Sequence, residues 1–391
     1  MFLDSLIRAA IMPVSWWIFF SGLDDLFIDL WYAGIKLLRR DSWKLSPERL
    51  NRIPERRMAL FVPCWHEHEV IEGMIEHNIA AIDYRNYDIF LGLYPNDPRT
   101  LERAALLEER YLQVKQSVCP WDGPTNKADC LNWIYQRMKR AEEESGNRYE
   151  VIVQHDAEDL VHPKAFKLIN RMIHRYDMVQ IPVFPLEMPF RHFTHGTYCD
   201  EFAEFQVKDL FIRQVLGGFV PSTGVGTAFR REALEEIAGH FGHQIFNVST
   251  LTEDYEIGLK FKLQGMRQIL VRKAVPVNGN GHKNGNGRKN GNGYKNGNGH
   301  KNGRANGRAN GKRPTNQEFV ATREYFPTTF RGAVRQKSRW VMGVSLQTWA
   351  QHGWRVPWRQ VYWFWRDRKG LLGNLVTMAA NFIFLYCLLL D

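Results

Sequence analysis

Two kinds of block alternate along the chain. Short apolar runs, rich in β-branched or aromatic residues, occupy 58–62, 88–93, 151–153 and 178–181. Runs of this length between polar residues predict buried strands. Between and after them, apolar positions recur at helical spacing over 70–82, 100–116, 128–144 and 255–264. Strands that alternate with helices predict a mainly parallel sheet with helices on both faces, a Rossmann-like α/β fold.

The two ends follow another pattern. Residues 9–23 are uncharged and include Trp16, Trp17, Phe19 and Phe20, which predicts an N-terminal transmembrane segment over 1–23. No small-residue cleavage site follows, which argues against a signal peptide. Over 24–50 the pattern turns amphipathic, with Leu26, Phe27, Leu30, Trp31 and Leu38 set against charges, so this segment is expected at the membrane surface. At the other end, 370–390 has no charge, and the expected C-terminal transmembrane helix spans 370–391. An aromatic and basic belt over 346–369 precedes it, with Trp354, Trp358, Trp363, Arg366 and Lys369. Lys36, Arg39, Arg40 and Lys44 follow the first segment. Basic residues on that side of both segments place the middle, 51–345, in the cytosol.

Composition changes this picture in one place. The formal charge of +10 invites an acidic partner, but 277–313 is an Asn-Gly repeat with nine Lys or Arg and no acid. That tract accounts for nearly all the excess, so no nucleic-acid partner is inferred. It lacks apolar residues that would offset the entropy of ordering, and it is expected to be a flexible insertion. Five cysteines without metal-like spacing (Cys64, Cys119, Cys130, Cys199 and Cys387) read as reduced thiols.

The chemistry gathers where the apolar runs end. After 151–153 comes Gln154-His-Asp-Ala-Glu-Asp159, three carboxylates at a strand end, where ligands bind in α/β sheets. Alternating along that strand edge, Asp156 and Glu158 are expected to point to the same side and to suit a hard divalent cation. A solvated turn is the alternative. Pro63-Cys-Trp-His-Glu67 and Asn96-Asp97 close the first two strands, and Lys127 opens a helix. Singly, Glu67 also fits a cap, Asp97 a turn and Lys127 a solvated base. Ser222–Phe229 is a small-residue loop that admits a ligand to the backbone without P-loop spacing. Thr252-Glu253-Asp254 opens a helix and also fits a cap. Gln336-Lys-Ser-Arg339-Trp340 offers a planar cation for a diphosphate and an indole for a sugar ring.

In this order these motifs resemble the family 2 glycosyltransferases, most closely the membrane-embedded branch with the cellulose and hyaluronan synthases. The wording His155-Asp-Ala-Glu-Asp159, Tyr94-Pro-Asn-Asp97, Gly123-Pro-Thr-Asn-Lys-Ala-Asp-Cys-Leu-Asn132 and Ser249-Thr-Leu-Thr-Glu-Asp-Tyr255 is similar to the bacteriophage adsorption protein B group. The resemblance implies a GT-A fold and inverting transfer of a sugar from a nucleotide diphosphate donor, with UDP-sugars favoured. It implies that Pro63, Glu67, Asp97, Lys127 and Asp156 bind the donor, and that Asp156 and Glu158 hold Mg²⁺ or Mn²⁺. Glu253 and Asp254 would be the catalytic pair, with Asp254 the general base. Gln336, Arg339 and Trp340 would bind diphosphate and acceptor. Glu158 replaces the commoner Asp, which leaves Asp159 as a substitute ligand.

The expected function is synthesis of a bacterial exopolysaccharide at the inner membrane, with a glycan or lipid-linked acceptor, membrane lipids around it and an export partner. A single-sugar transferase acting on a lipid phosphate carrier is one alternative. A catalytically silent scaffold or phage-receptor component is another, and its signature would be loss of Asp156 or Asp254. Both are present.

Overall fold

The computed structural model describes residues 2–38, 47–189, 191–240, 244–276 and 317–390. The Asn-Gly insertion (277–313) lies outside them.

Seven strands form the central sheet: β1 (Met58–Pro63), β2 (Tyr87–Leu93), β3 (Val114–Val118), β4 (Val151–Gln154), β6 (Met178–Gln180), β8 (Thr227–Arg230) and β9 (Gln268–Leu270). Their order is β3-β2-β1-β4-β8-β6-β9. Every neighbouring pair is parallel except those that β8 makes with β4 and β6. Three further strands, β5 (Leu160–Val161), β7 (Val183–Pro185) and β12 (Thr322–Glu324), pair in the order β5-β12-β7, and β10 (Ala274–Pro276) pairs with β11 (Gln317–Phe319).

Met58, Ala59, Leu60, Phe61 and Val62 are all buried, because β1 is covered on both faces. Leu60 and Val62 enter one core, while Ala59 and Phe61 enter the other. Unbroken apolarity is the mark of a parallel strand between two helical layers. Full burial of the larger side chains, Met58, Leu60, Phe61 and Val62, contributes about 1.5–3 kcal/mol each.

The layers comprise α2 (Pro47–Asn51), α3 (Ile71–Ala81), α4 (Pro98–Arg110), α5 (Lys127–Ser145), α6 (Ala165–Met172), α9 (Arg231–His240) and α10 (Glu253–Leu263). The remaining helices are α1 (Phe2–Leu38), α7 (Phe193–Glu204), a π-helix (Phe205–Asp209), α8 (Leu210–Val215), α11 (Phe330–Trp340), a second π-helix (Val341–Gln347), α12 (Thr348–His352) and α13 (Trp358–Leu390).

Two helical segments, Asp4–Leu38 and Trp358–Leu389, are long and apolar enough to cross a membrane. They run antiparallel. Tyr386 donates to Asp4 (2.8 Å) at one end, and Tyr362 (2.7 Å), Arg366 (2.6 Å) and Lys369 (2.6 Å) converge on Asp24 at the other.

Three sequence expectations need correction. The helix expected over 100–116 stops at Arg110, and 114–118 is edge strand β3. Its period of two is muted because Lys115 and Gln116 sit between the apolar ends. Second, 227–229 belongs to β8 rather than to the small-residue loop. Third, 24–38 is no separate surface element but the continuation of α1.

Candidate active site

The strand ends of β1, β2, β4 and β6 share one rim of the sheet, and the first part of the site is built by tying them together. Cys64 N–H donates to the Gly92 carbonyl (2.8 Å), which extends the β1–β2 ladder past Pro63. The chain then turns sharply at His66, whose φ of 61° is a left-handed conformation unusual for a side-chain-bearing residue. Asp97 stabilises that turn, because its Oδ2 accepts from His66 N (2.7 Å) while Oδ1 accepts from Thr100 N (3.4 Å) and caps α4. Glu67 follows, half-buried. Burial, with Asp156 and Asp97 nearby, raises its proton affinity.

Lys127 is the first residue of α5, and Asn126 caps that helix by accepting from Asp129 N (2.8 Å). Asn96 pairs with the backbone of Gly123 through both amide atoms (2.7 and 2.8 Å), and so anchors this entry to the end of β2. The same stretch holds the segment that leads into α10. Asn126 donates to the Val248 carbonyl (2.5 Å), and Asn132 pairs with both backbone groups of Phe246 (2.9 and 3.1 Å). The motif 123–132 therefore joins the end of β2 to the Glu253-Asp254 side.

Beyond β4 the chain turns instead of continuing as a strand, so the alternation argument for Asp156 and Glu158 does not apply. The turn is closed by Asp159, which is fully buried. Its Oδ2 accepts from Asp156 N (2.9 Å) and is bonded to His155 Nδ1 (2.8 Å). Asp159 thus braces the turn through Oδ2, while its Oδ1 is buried without a hydrogen-bond partner among the described residues. Asp156 is left half-exposed with Oδ1 2.5 Å from Lys127 Nζ.

The fourth wall is the loop 222–226. Gln180 holds it, with Oε1 accepting from Thr223 N (3.1 Å) and Thr227 Oγ1 (2.6 Å), and Nε2 donating to the Val225 carbonyl (2.9 Å). Gly224, at φ 77°, lies between Lys127 and Asp254. A Cβ there would stand 2.9 Å from Asp254 Oδ2 and 3.4 Å from Lys127 Nζ. Glycine is needed for its conformation and for the space.

Charge is unbalanced at this rim. Burial, then Asp156, Glu67 and Asp159, push Glu158 up to about 8. Burial and Asp254 push Glu253 up to about 7. Asp254 is raised chiefly by burial, and Lys127 and Arg339 partly oppose that. Burial disfavours the Lys127 ammonium, but Asp156, Glu253 and Asp254 outweigh it and keep the group charged. Several carboxyl groups thus share essentially one lysine. Such a donor set fits a hard divalent cation, and Asp156 and Glu158 would be the groups to hold one. No three His, Cys, Asp or Glu side chains converge as ligands among the described residues. A cation held by one or two carboxylates and completed by phosphate oxygens meets that geometry.

Gln336, Arg339 and Trp340 lie on α11. Arg339 is exposed and near enough to Asp254 to lower its proton affinity. Trp340 is half-buried, its ring 6.2 Å from Tyr198 and 6.0 Å from Phe202. Gln336 Oε1 is buried without a hydrogen-bond partner among the described residues.

The model of the glycosyl transferase family group 2 matches residues 151–390, from β4 through α13. The chain belongs to this family. As a family 2 glycosyltransferase it is similar to bacteriophage adsorption protein B of Escherichia coli (strain K12), with 38% identity over 377 residues, 95% of this chain and 48% of the relative. The figures are the same for bacteriophage N4 adsorption protein B of Escherichia coli O157:H7. The chain therefore spans about half the length of the curated relatives it matches. Among solved structures, the mannosyltransferase from Pyrobaculum calidifontis, determined with GDP-Man and Mn²⁺, superposes with a TM-score of 0.56 at 15% identity over 96% of this chain and 85% of that one. The shared fold is GT-A, as the sequence motifs imply.

Glu324, on β12, is a carboxylate of this glycosyltransferase site that sequence reasoning missed. β12 pairs with β5 just past the Asp156–Asp159 turn, and burial, then Asp159 and Asp156, raise Glu324 well above the carboxylate range. Thr322-Arg-Glu324 is a short run after the insertion, and only the charged pair Arg323-Glu324 between Val320-Ala321 and Tyr325-Phe326 signals it.

Asp97 has a structural duty that a substitution can separate from ligand binding. Asp97→Ala is expected to cost about 1 kcal/mol through loss of the cap. Asp97→Asn keeps one accepting oxygen for the cap but turns its N–H₂ towards the second backbone donor, so its melting temperature should fall, by less than that of Asp97→Ala. A rise in donor KM in Asp97→Asn alone would then report a nucleoside contact.

Proposed function

We propose that this glycosyltransferase moves a single sugar, with inversion, from a nucleoside diphosphate donor to a growing exopolysaccharide at the bacterial inner membrane, with its catalytic part in the cytosol. The observation that carries the reading is a chain of contacts through Lys127: its Nζ lies 2.5 Å from Asp156 Oδ1 and, together with Asp254 Oδ2, borders the space beside Gly224. The basic residues beside both long apolar helices support the cytosolic side.

In this reading Glu67 and Asp97, with Pro63 behind them, face the nucleoside, and Lys127 and Arg339 offset the charge of the diphosphate. Asp156 and Glu158 would hold Mg²⁺ or Mn²⁺, which would supply positive charge against the departing diphosphate. Gly224 lets the donor approach the backbone beside Asp254. Asp254 accepts the proton of the acceptor hydroxyl as that oxygen attacks the anomeric carbon. Attack from the face opposite the leaving diphosphate inverts that carbon and needs no covalent enzyme intermediate. Gln336 and Trp340 border the acceptor side, and Glu253 supports the base.

The test is release of nucleoside diphosphate from UDP-sugars and GDP-mannose by membranes carrying the chain, with Mg²⁺, Mn²⁺ or chelator. Release from one donor, abolished by chelator, is expected. Silence across the panel with folded protein would favour the scaffold reading. A lipid-extractable product bearing one sugar would replace the exopolysaccharide by a lipid phosphate carrier.

A further inference from the structure

The first turn of α10 carries Glu253 and Asp254, yet it lacks the usual fastening. Thr252 occupies the N-cap position without a side-chain cap hydrogen bond, and its Oγ1 is buried without a partner among the described residues. Uncapped first turns fray, which would blur the position of a carboxylate that must reach one hydroxyl. The fastening comes instead from outside the α/β layers. Tyr255, the neighbour of Asp254, sends its hydroxyl to Asp367 Oδ2 on α13 (2.5 Å). Arg213 on α8 grips the same carboxylate with both terminal nitrogens (2.9 and 3.0 Å).

This knot is buried and crossed by several elements. Arg213 is 3% exposed and Tyr255 6%. The Arg213 guanidinium lies 3.9 Å from the ring centre of Phe219, which meets Tyr255 edge-on at 5.2 Å. The second π-helix joins from the other side. Ser345 donates to the Asp367 carbonyl (3.1 Å), Gln347 Oε1 accepts from Leu251 N (2.8 Å), and Gly343 packs so tightly on Thr252 that a Cβ would collide with it. That π-helix directly follows Trp340. The start of α10 is therefore held by the polar stem of a helix that is long and apolar enough to cross a membrane, and by the segment that continues from Arg339 and Trp340.

We infer that Asp367 is a positioning residue for sugar transfer: through Tyr255 it fixes the first turn of α10 and with it the carboxylate of Asp254. The inference rests on the reading of Asp254 as general base. Asp367 belongs to none of the motifs legible in the sequence. Tyr255 and Asp367 lie 112 residues apart.

Tyr255→Phe is the decisive variant, because it deletes one hydrogen bond and leaves the Arg213–Asp367 ion pair in place. In the full chain in membranes, with whichever of GDP-mannose or the UDP-sugars is turned over as probe, kcat should fall about ten- to a hundredfold while donor KM stays within about twofold. Asp367→Asn should fall at least as far, and the double variant no further than Asp367→Asn, since both act through one bond. Wild-type kcat in Tyr255→Phe overturns the inference, even where Asp254→Asn is inactive. So does an Asp367→Asn loss that only tracks the loss of folded protein, or a double variant whose losses multiply. Full activity in Asp254→Asn removes the base reading itself, a result distinguishable from all of these.

Discussion

Replacing Asp254 by Asn is expected to lower transfer by about 10²–10⁴-fold, the usual contribution of a general base, with donor binding preserved. The amide is isosteric, so Gly224 still fits beside it and Tyr255 still meets Asp367. What disappears is a group able to take the proton of the acceptor hydroxyl. As the base, the same residue is expected to set the acid limb of the pH profile. Burial raises its proton affinity, and Lys127 and Arg339 partly lower it. Only the carboxylate is a base, so the rate should fall as pH drops through that raised value. Removing a neighbouring cation must push it higher still. Lys127→Gln should therefore move the acid limb of kcat towards neutral pH, in addition to weakening donor binding. An unmoved limb in Lys127→Gln would place the titrating group elsewhere, and an active Asp254→Asn would dismiss it as the base.

The part of this site that was legible in the sequence is the part built from strand ends. β1, β2, β4 and β6 advertise themselves because strands covered on both faces are apolar throughout, and their termini fix where Glu67, Asp156 and Lys127 gather. Strands with polar faces gave no such signal. β3 is an edge with Lys115 and Gln116 half-exposed, and β8 is hidden among Ser222, Thr223 and Thr227, whose hydroxyls and amides are bonded to one another and to Gln180. Nor does composition reveal partners far apart in the chain. Asp97 reads as a turn or a ligand, but its bond to His66 appears only in three dimensions. Glu324 and Asp367 matter because β12 and α13 return to the site from beyond the insertion. A motif search over short windows has no access to such returns.

Those returning carboxylates sharpen the expectation for Asp156→Ala: loss of cation dependence, with transfer reduced by at least about 10²-fold, the scale of losing one electrostatic stabiliser of a developing charge. Without a cation, the rim favours protonation. Burial and the neighbouring carboxylates leave Glu158 up at about 8, well above the ordinary 4.5. A group whose folded-state proton affinity is raised stabilises the fold fully below its unfolded value, and that stabilisation is lost as pH rises through the folded one. Ionisation of Glu158 thus works against the folded state between about 4.5 and about 8. A divalent cation reverses that effect, because it binds the ionised form and displaces protons. The rise in melting temperature that Mg²⁺ or Mn²⁺ produces should accordingly grow as pH increases towards 8, and should vanish in Asp156→Ala. In that variant Lys127 loses its 2.5 Å partner and becomes available to Glu253 and Asp254. The folded protein should therefore persist while the response to metal does not. A full metal-induced shift in Asp156→Ala, with transfer intact, would move the cation away from this turn and leave Asp156 only the partner of Lys127.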